Sequence, residues 1–346
     1  MRAWIRRLLG RKPRLLWIGH PLFLQHDPGT GHPEAAARIG AIEAELLRQK
    51  ISPRIRRAEA AEVTDKQLAL VHTSKYLQYL ESVRPQPGKI YRLDDDTVMS
   101  SETLTAARYG AGAVVQAVDT VLSGRSPRAF CAVRPPGHHA ESAKAGGFCL
   151  INNVAVGAMR AIAEHRLQRI AIVDFDVHHN NGTLEIFKDD PRVMLLNSCA
   201  PDLYPFPDEG VGGRNPHIHN IFLPSGSGSR EMREAARRLW LPQLALFKPQ
   251  LLLLSAGFDA HRKDESGSLN WHEADYAWLT HKLVQAAGEE CRGVVSVLEG
   301  GYHLESLAKS VAAHLYVLSG MGKPACAVAY DKWLRRTAKK EGRLRR

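Results

Sequence analysis

The sequence predicts an α/β domain, a mainly parallel sheet with helices on both faces, on three observations. Short apolar strand-like runs recur along the chain, most are followed by a segment of helical character, and no repeat or low-complexity linker interrupts the series. In order, the strand-like runs are 15–18, 129–133, 170–174, 193–196, 251–255 and 294–298, each too short for a helix and rich in Leu, Ile, Val or Ala. The helix-like segments are 102–122, 150–166, 229–247, 272–290 and 303–319, long enough to cross a sheet and deliver the chain to a parallel neighbour. Segments 84–100 and 198–228 read as long loops containing Pro and Gly, a length that in a compact domain often carries function. With 346 residues, 44% of them hydrophobic, the chain can bury a large core as one domain over 15–320.

The formal charge of +11 suggests nucleic acid until its distribution is considered. Arg2, Arg6, Arg7, Arg11, Lys12 and Arg14 give the tail 1–14 a charge of +6, and residues 331–346 hold another +6, so the body between is close to neutral. The excess belongs to two basic tails, 1–14 and 321–346, and no recognition motif accompanies it, which argues against a specific nucleic-acid partner. The apolar stretches near Met1 are too short for a signal peptide, and no span is long enough to cross a bilayer; a frayed end is expected there rather than a membrane-surface helix. Cys131, Cys149, Cys199, Cys291 and Cys326 are odd in number and form no C-x-x-C pair, so a reducing cytoplasm is expected.

The chemistry-bearing residues follow the apolar runs. In an open parallel sheet, ligands bind beyond the carboxyl ends of the strands. His138 and His139 follow the 129–133 run, Asp174 to His178 end the 170–174 run, Asp259 follows 251–255 and Tyr302 follows 294–298. Strand alternation predicts that Asp176 and His178 project together. With Asp259 they offer two carboxylates and one imidazole, three ligands that leave a position open on a catalytic metal; zinc is the first choice, with ferrous iron or cobalt as alternatives. The turn Arg134-Pro135-Pro136-Gly137-His138-His139 can bring both imidazoles to one small volume, and Asp174 and Asn181, one charged and one neutral, are available to make them titrate differently. Tyr302, after Gly300 and Gly301, can donate its phenol to a developing oxyanion.

Together these strings resemble the histone deacetylase superfamily, specifically its class II and bacterial amidohydrolase-like branch. The resemblance runs from about residue 16 to 318. It is carried by Gly29-Thr30-Gly31-His32-Pro33-Glu34 with Arg38, by Arg134 to Ala140, by Gly147 to Asn153, by the Asp174 to His179 string, by Gly257-Phe258-Asp259 and by Gly300-Gly301-Tyr302. It implies a single-domain arginase/deacetylase-like α/β fold and zinc-dependent hydrolysis of an acylated amine, with one zinc per chain. It implies that Asp176, His178 and Asp259 hold the zinc, that His139, backed by Asn181, is general base and then acid, that His138 beside Asp174 acts through its charge, and that Tyr302 stabilises the oxyanion. Gly147, Phe148 and Tyr204 resemble the walls of an acyl-lysine channel, and Asp95 a rim carboxylate that holds the substrate backbone. A potassium ion near Asp174, Asp176 and His178, with Asn197 and Ser198 adding oxygens, is also implied.

Several residues depart from the family pattern. Asn180 stands where Gly is usual, Cys199 where His is usual, and Glu265-Ser266 replaces a Pro-Leu pair at the rim. These leave the chemical groups intact and bear on the substrate. The expected partner is an acylated lysine protein or peptide. Acylated polyamines or other small amines are the rival class, since Glu265 could favour a cationic amine. A two-metal arginase-type site would lose a ligand at Asn180, and an inactive acyl-lysine binding module would usually have lost one of the groups present here.

Overall fold

The computed structural model describes residues 15–208, 210–213 and 215–340, so the tail expected at 1–14 lies outside the described residues. The strands are β1 (Leu15–Gly19), β2 (Ile55–Glu59), β3 (Ile90–Arg92), β4 (Val98–Ser100), β5 (Arg128–Cys131), β6 (Ile170–Asp174), β7 (Val193–Cys199), β8 (Ile218–Phe222), β9 (Leu251–Ala256) and β10 (Val294–Leu298). Eight of them form one sheet in the order β2-β1-β5-β10-β9-β6-β7-β8, and every neighbouring pair is parallel. Among the named strands of the described residues, only β3 and β4 pair antiparallel, as a separate hairpin within the segment read as a loop.

Period-two alternation divides the core between the two faces of the sheet. Leu251 and Leu253 face one apolar cluster with helices Thr103–Leu122 and Asn153–Ala163; Leu252 and Leu254 face another with helices Ala37–Arg48, Glu273–Ala286 and Leu304–Leu318. Ile170 and Ile172 against Ala171 and Val173 on β6 divide the same way. Burying both faces makes these strands read as continuous apolar runs, and each buried Leu, Ile or Val contributes roughly 1.5–3 kcal/mol.

The expected crossover helices are present with trimmed ends. The one anticipated from 150 begins at Asn153, because Asn152 caps it by accepting from the Ala155 amide at 3.0 Å. The segment 229–247 is helical throughout but opens into a π turn at Ala236–Trp240, just before Pro242, which lacks the N–H needed to continue the ladder.

The stretch expected as a basic tail beyond 320 carries a helix, Ala325–Lys340, that docks by its small and polar face. Ala327 packs against Ala274, Ala277, Ala313 and Val317, and Asp331 pairs with Arg233 at 2.7 Å and with Lys323. Among the described residues, no helix is long and apolar enough to cross a membrane.

Candidate active site

Strand order brings the expected residues together. His138 and His139, Glu299 to Tyr302, Asp259, and Asp174 to His178 follow β5, β10, β9 and β6, which are consecutive in the sheet. Asp176 and His178 converge as anticipated, but not by strand alternation, because β6 ends at Asp174. Two short turns arrange them instead: Asp174 Oδ1 accepts from the Asp176 amide at 3.1 Å, and Asp176 Oδ1 from the His178 amide at 2.9 Å.

His178 Nδ1 lies 3.0 Å from Asp176 Oδ1 and 3.3 Å from Asp259 Oδ2, and one ligand atom from each of the three lies within 4.8 Å of the others. The remaining carboxylate oxygens are committed elsewhere: Asp176 Oδ2 accepts from the Gly300 amide and Asp259 Oδ1 from the Val177 amide, both at 2.9 Å. Asp259 Oδ2 is buried without a hydrogen-bond partner. Burial, then the charge of Asp176, pushes the Asp259 carboxyl up to about 7; against burial, Asp176 and Asp259 raise His178 to about 10. Two buried carboxylates and an imidazole whose aimed atoms converge, one of them unpartnered, form a donor set that fits a small divalent cation such as zinc. Gly257 and Gly300 roof it: a Cβ at Gly257 would overlap Asp176, and one at Gly300 would overlap both carboxylates.

The paired imidazoles sit beside this cluster with ring centroids 4.0 Å apart. His138 Nδ1 faces Asp174 Oδ2 at 3.1 Å; burial opposes its charge, but Asp176 and Asp174 outweigh burial and raise it to about 10. His139 Nδ1 faces the Asn181 side-chain oxygen at 2.7 Å. Burial and the charges of His138 and His178 hold His139 well below its ordinary value, so the two rings are separated in charge as well as partner. Their turn is pinned from below by Glu299, a residue not singled out from the sequence. Its Oε2 accepts from the Gly137 and His138 amides at 2.7 and 3.2 Å, and its Oε1 from Ser255 at 2.9 Å.

Tyr302 is half-buried, its ring 5.0 Å above the Arg38 guanidinium and edge-on to Phe148 at 5.8 Å. Burial, partly offset by Arg38, holds its phenol well above the usual range, so it is protonated and able to donate. Arg38 also reaches the carbonyls of Gly301 and Glu299 at 2.7 and 2.5 Å, while Glu34 binds both Arg38 and Arg134. These contacts hold the Tyr302 loop from beneath.

Two of the expected channel residues, Gly147 and Tyr204, lie against His139. Gly147, at φ +52°, lies so close to the rings of His139 and Tyr204 that a Cβ would strike both, and Tyr204 stands edge-on to His139 at 4.9 Å. Phe148 stands edge-on to His32 at 4.6 Å. Asp95 is exposed on the turn between β3 and β4. Its neighbour Asp94 orders that turn by accepting from the Asp96 and Thr97 amides, and His32 holds the Asp96 carbonyl at 3.2 Å. Burial and the proximity of Asp94 push Asp96 up to about 6. Asn197 lies opposite Asp174 in the β6–β7 register, with neither amide atom hydrogen-bonded, and Ser198 beside it is buried. Glu265 is exposed and makes no ion pair with any described residue.

A sequence model described as the histone deacetylase domain matches residues 32–318. Histone deacetylase 10, chloroplastic, of Oryza sativa subsp. japonica is 34% identical over 94% of this chain and 79% of its own length. The polyamine deacetylase HDAC10 of Homo sapiens is 36% identical over 90% of this chain and 47% of its own length. Among solved structures, the crystal structure of the HDA15 HD domain superimposes with a TM-score of 0.83 and 31% identity, over 92% of this chain and 93% of that one. With the eight-stranded parallel sheet and the site at its central strand ends, these likenesses place the chain in the histone deacetylase family, as a hydrolytic deacetylase.

Proposed function

We propose that the chain removes an acetyl or other short acyl group from an acylated amine such as acetyl-lysine, with one zinc ion held by Asp176, His178 and Asp259. When bound, such an ion supplies Lewis acidity to the amide carbonyl and to the attacking water. His139 takes the water's proton at Nε2, because Nδ1 is committed to Asn181. The new carbon–oxygen bond forms as the carbonyl oxygen gains charge, and the Tyr302 phenol donates a hydrogen bond to that oxygen. His139 then passes its proton to the amine nitrogen as the carbon–nitrogen bond breaks, leaving a carboxylic acid and an amine, which part as carboxylate and ammonium once the acid's proton moves to the amine. His138, charged beside Asp174, stabilises negative charge without exchanging the proton. Gly147, Phe148 and Tyr204 bracket the aliphatic stem, and Asp95 sits at the rim. A potassium ion near Asp174, Asp176, His178, Asn197 and Ser198 belongs to this reading, which the unpartnered Asn197 amide supports. A cytoplasmic setting is consistent with five unpaired cysteines, three of them buried.

The observation that carries the proposal is the placement, beside a convergent carboxylate–imidazole trio, of two histidines whose partners differ in charge. A screen of acyl-amides with zinc-loaded protein should find turnover that a hydroxamate abolishes; a broad panel without a substrate would overturn it. Acylated polyamines are the second reading, favoured by the exposed Glu265 and by Asp94, Asp95 and Asp96 on the hairpin near Tyr204. Rates on acetylspermidine, acetylputrescine and an acetyl-lysine peptide under one condition separate the two.

A further inference from the structure

Asp264 is buried, yet no cationic side chain pairs with it among the described residues, and it is not one of the three convergent metal-site residues. Its charge is spent on backbone. Oδ2 accepts from the amides of Tyr302 at 2.6 Å and His303 at 3.0 Å, while Oδ1 accepts from the Ser266 amide at 3.1 Å. The Asp264 loop is itself tied down, its amide on the His261 carbonyl at 2.8 Å and its carbonyl taking the Gly267 amide at 3.3 Å. Capping the helix Leu304–Leu318 is not its task, since the His303 side chain already accepts from the Ser306 amide. A buried carboxylate without a counter-charge is costly, and amides bonded to an ionised oxygen are held more tightly than amides bonded to a neutral one.

Resting on the functional reading above, we infer that Asp264 is a positioning residue for Tyr302. It grips the Tyr302 amide from the rim side while Arg38 grips the Gly301 carbonyl from beneath, so the phenol springs from a backbone fixed on both flanks. The same carboxylate holds Ser266, so the rim loop that meets the substrate and the loop that carries the oxyanion donor are joined through one side chain. A donor that must meet a charge developing only in the transition state gains from this stiffness, because misplacement by about 1 Å can cost on the order of a hundredfold in rate.

The test uses the full zinc-loaded chain with Asp264→Ala and Asp264→Asn, each alone and combined with Tyr302→Phe. Asp264→Ala should lower kcat about 10- to 100-fold with little change in KM, and should cost less than about twofold once Tyr302 is already Phe, since the two act as a unit. Asp264→Asn keeps one accepting oxygen and should fall between, which covers the case in which the alanine variant fails to fold. Amide hydrogen exchange gives a readout that needs neither turnover nor zinc: Tyr302 and His303 should lose protection while β9 and β10 keep theirs. Full additivity with Tyr302→Phe, or unchanged exchange at those two amides, would overturn the inference. If the unaltered chain hydrolyses no acyl-amide, the functional reading falls by itself, and exchange alone decides whether Asp264 holds the Tyr302 backbone.

Discussion

His139 Nδ1 and Asn181 Oδ1 are 2.7 Å apart, and Asn181 turns its amide nitrogen to Glu141 Oε1 at 3.0 Å. With the nitrogen so engaged, the oxygen facing His139 can only accept, and Nδ1 must carry the ring proton. The free lone pair is therefore on Nε2. Asn181→Asp would place a carboxylate behind the ring and raise its affinity for a second proton. Since the base works unprotonated and His139 now sits well below its ordinary value, the acidic limb of the kcat/KM profile should move to higher pH, by about one unit. A pH–rate series on the two proteins checks this.

Removing either reacting side chain should stop chemistry without emptying the metal site. His139→Ala and Tyr302→Phe are each expected to lower kcat by about 10²–10³-fold while bound zinc, measured by elemental analysis, stays at one per chain. Unchanged rates in both variants would remove the scheme.

Metal affinity should respond to a residue that touches no metal. Gly300→Ala adds a methyl group where the Asp176 and Asp259 oxygens already lie, so the carboxylates must part. Zinc retention against a chelator should fall at least as far in this variant as in Asp259→Asn, which keeps the shape of the site and removes one charge. The ranking is read from metal content after dialysis at a series of chelator concentrations.

Acid should destabilise the fold through a core histidine that is not among the reacting groups. His314 is fully buried between Thr280 Oγ1 at 2.6 Å and Ser296 Oγ at 2.9 Å, and burial lowers it to about 3. Below its ordinary value of 6.5 the unfolded chain takes up a proton that the folded chain refuses, so this contribution is intact above pH 6.5 and is lost as pH falls toward about 3. His314→Gln should be less stable at neutral pH but lose less between pH 6.5 and 4. Urea midpoints across that window measure the difference.

What could be read from the sequence, and what could not, divides by which atoms do the work. β6, β9 and β10 are visible because strands buried on both faces are written mainly in apolar residues, with one buried polar residue each, Asp174, Ser255 and Ser296. β2, written Ile-Arg-Arg-Ala-Glu, is an edge strand whose charges face water, and it looks like a loop. The helix Ala325–Lys340 was masked by the charge of its outer face, although Ala327 and Asp331 mark an inner one. In the site, the metal trio and the twin imidazoles lie in short strings with recognisable chemistry. Asp264, Glu299 and Arg38 act on backbone amides and carbonyls distant in sequence, and no string of side chains displays those partners.

The docked last helix also bears on where the molecule can be shortened. Ending the chain at residue 320, after the last crossover helix, would bare the small apolar face of Ala274, Ala277, Ala313 and Val317 and take from Arg233 its bond to Asp331. Of its two carboxylate partners Arg233 would keep Asp275, and the uncovered strip would be free to meet its own copy on another molecule. The helix Ala325–Lys340 thus belongs to the packed body of the fold, and the positive charge that makes this stretch look dispensable is the outer coat of a structural part.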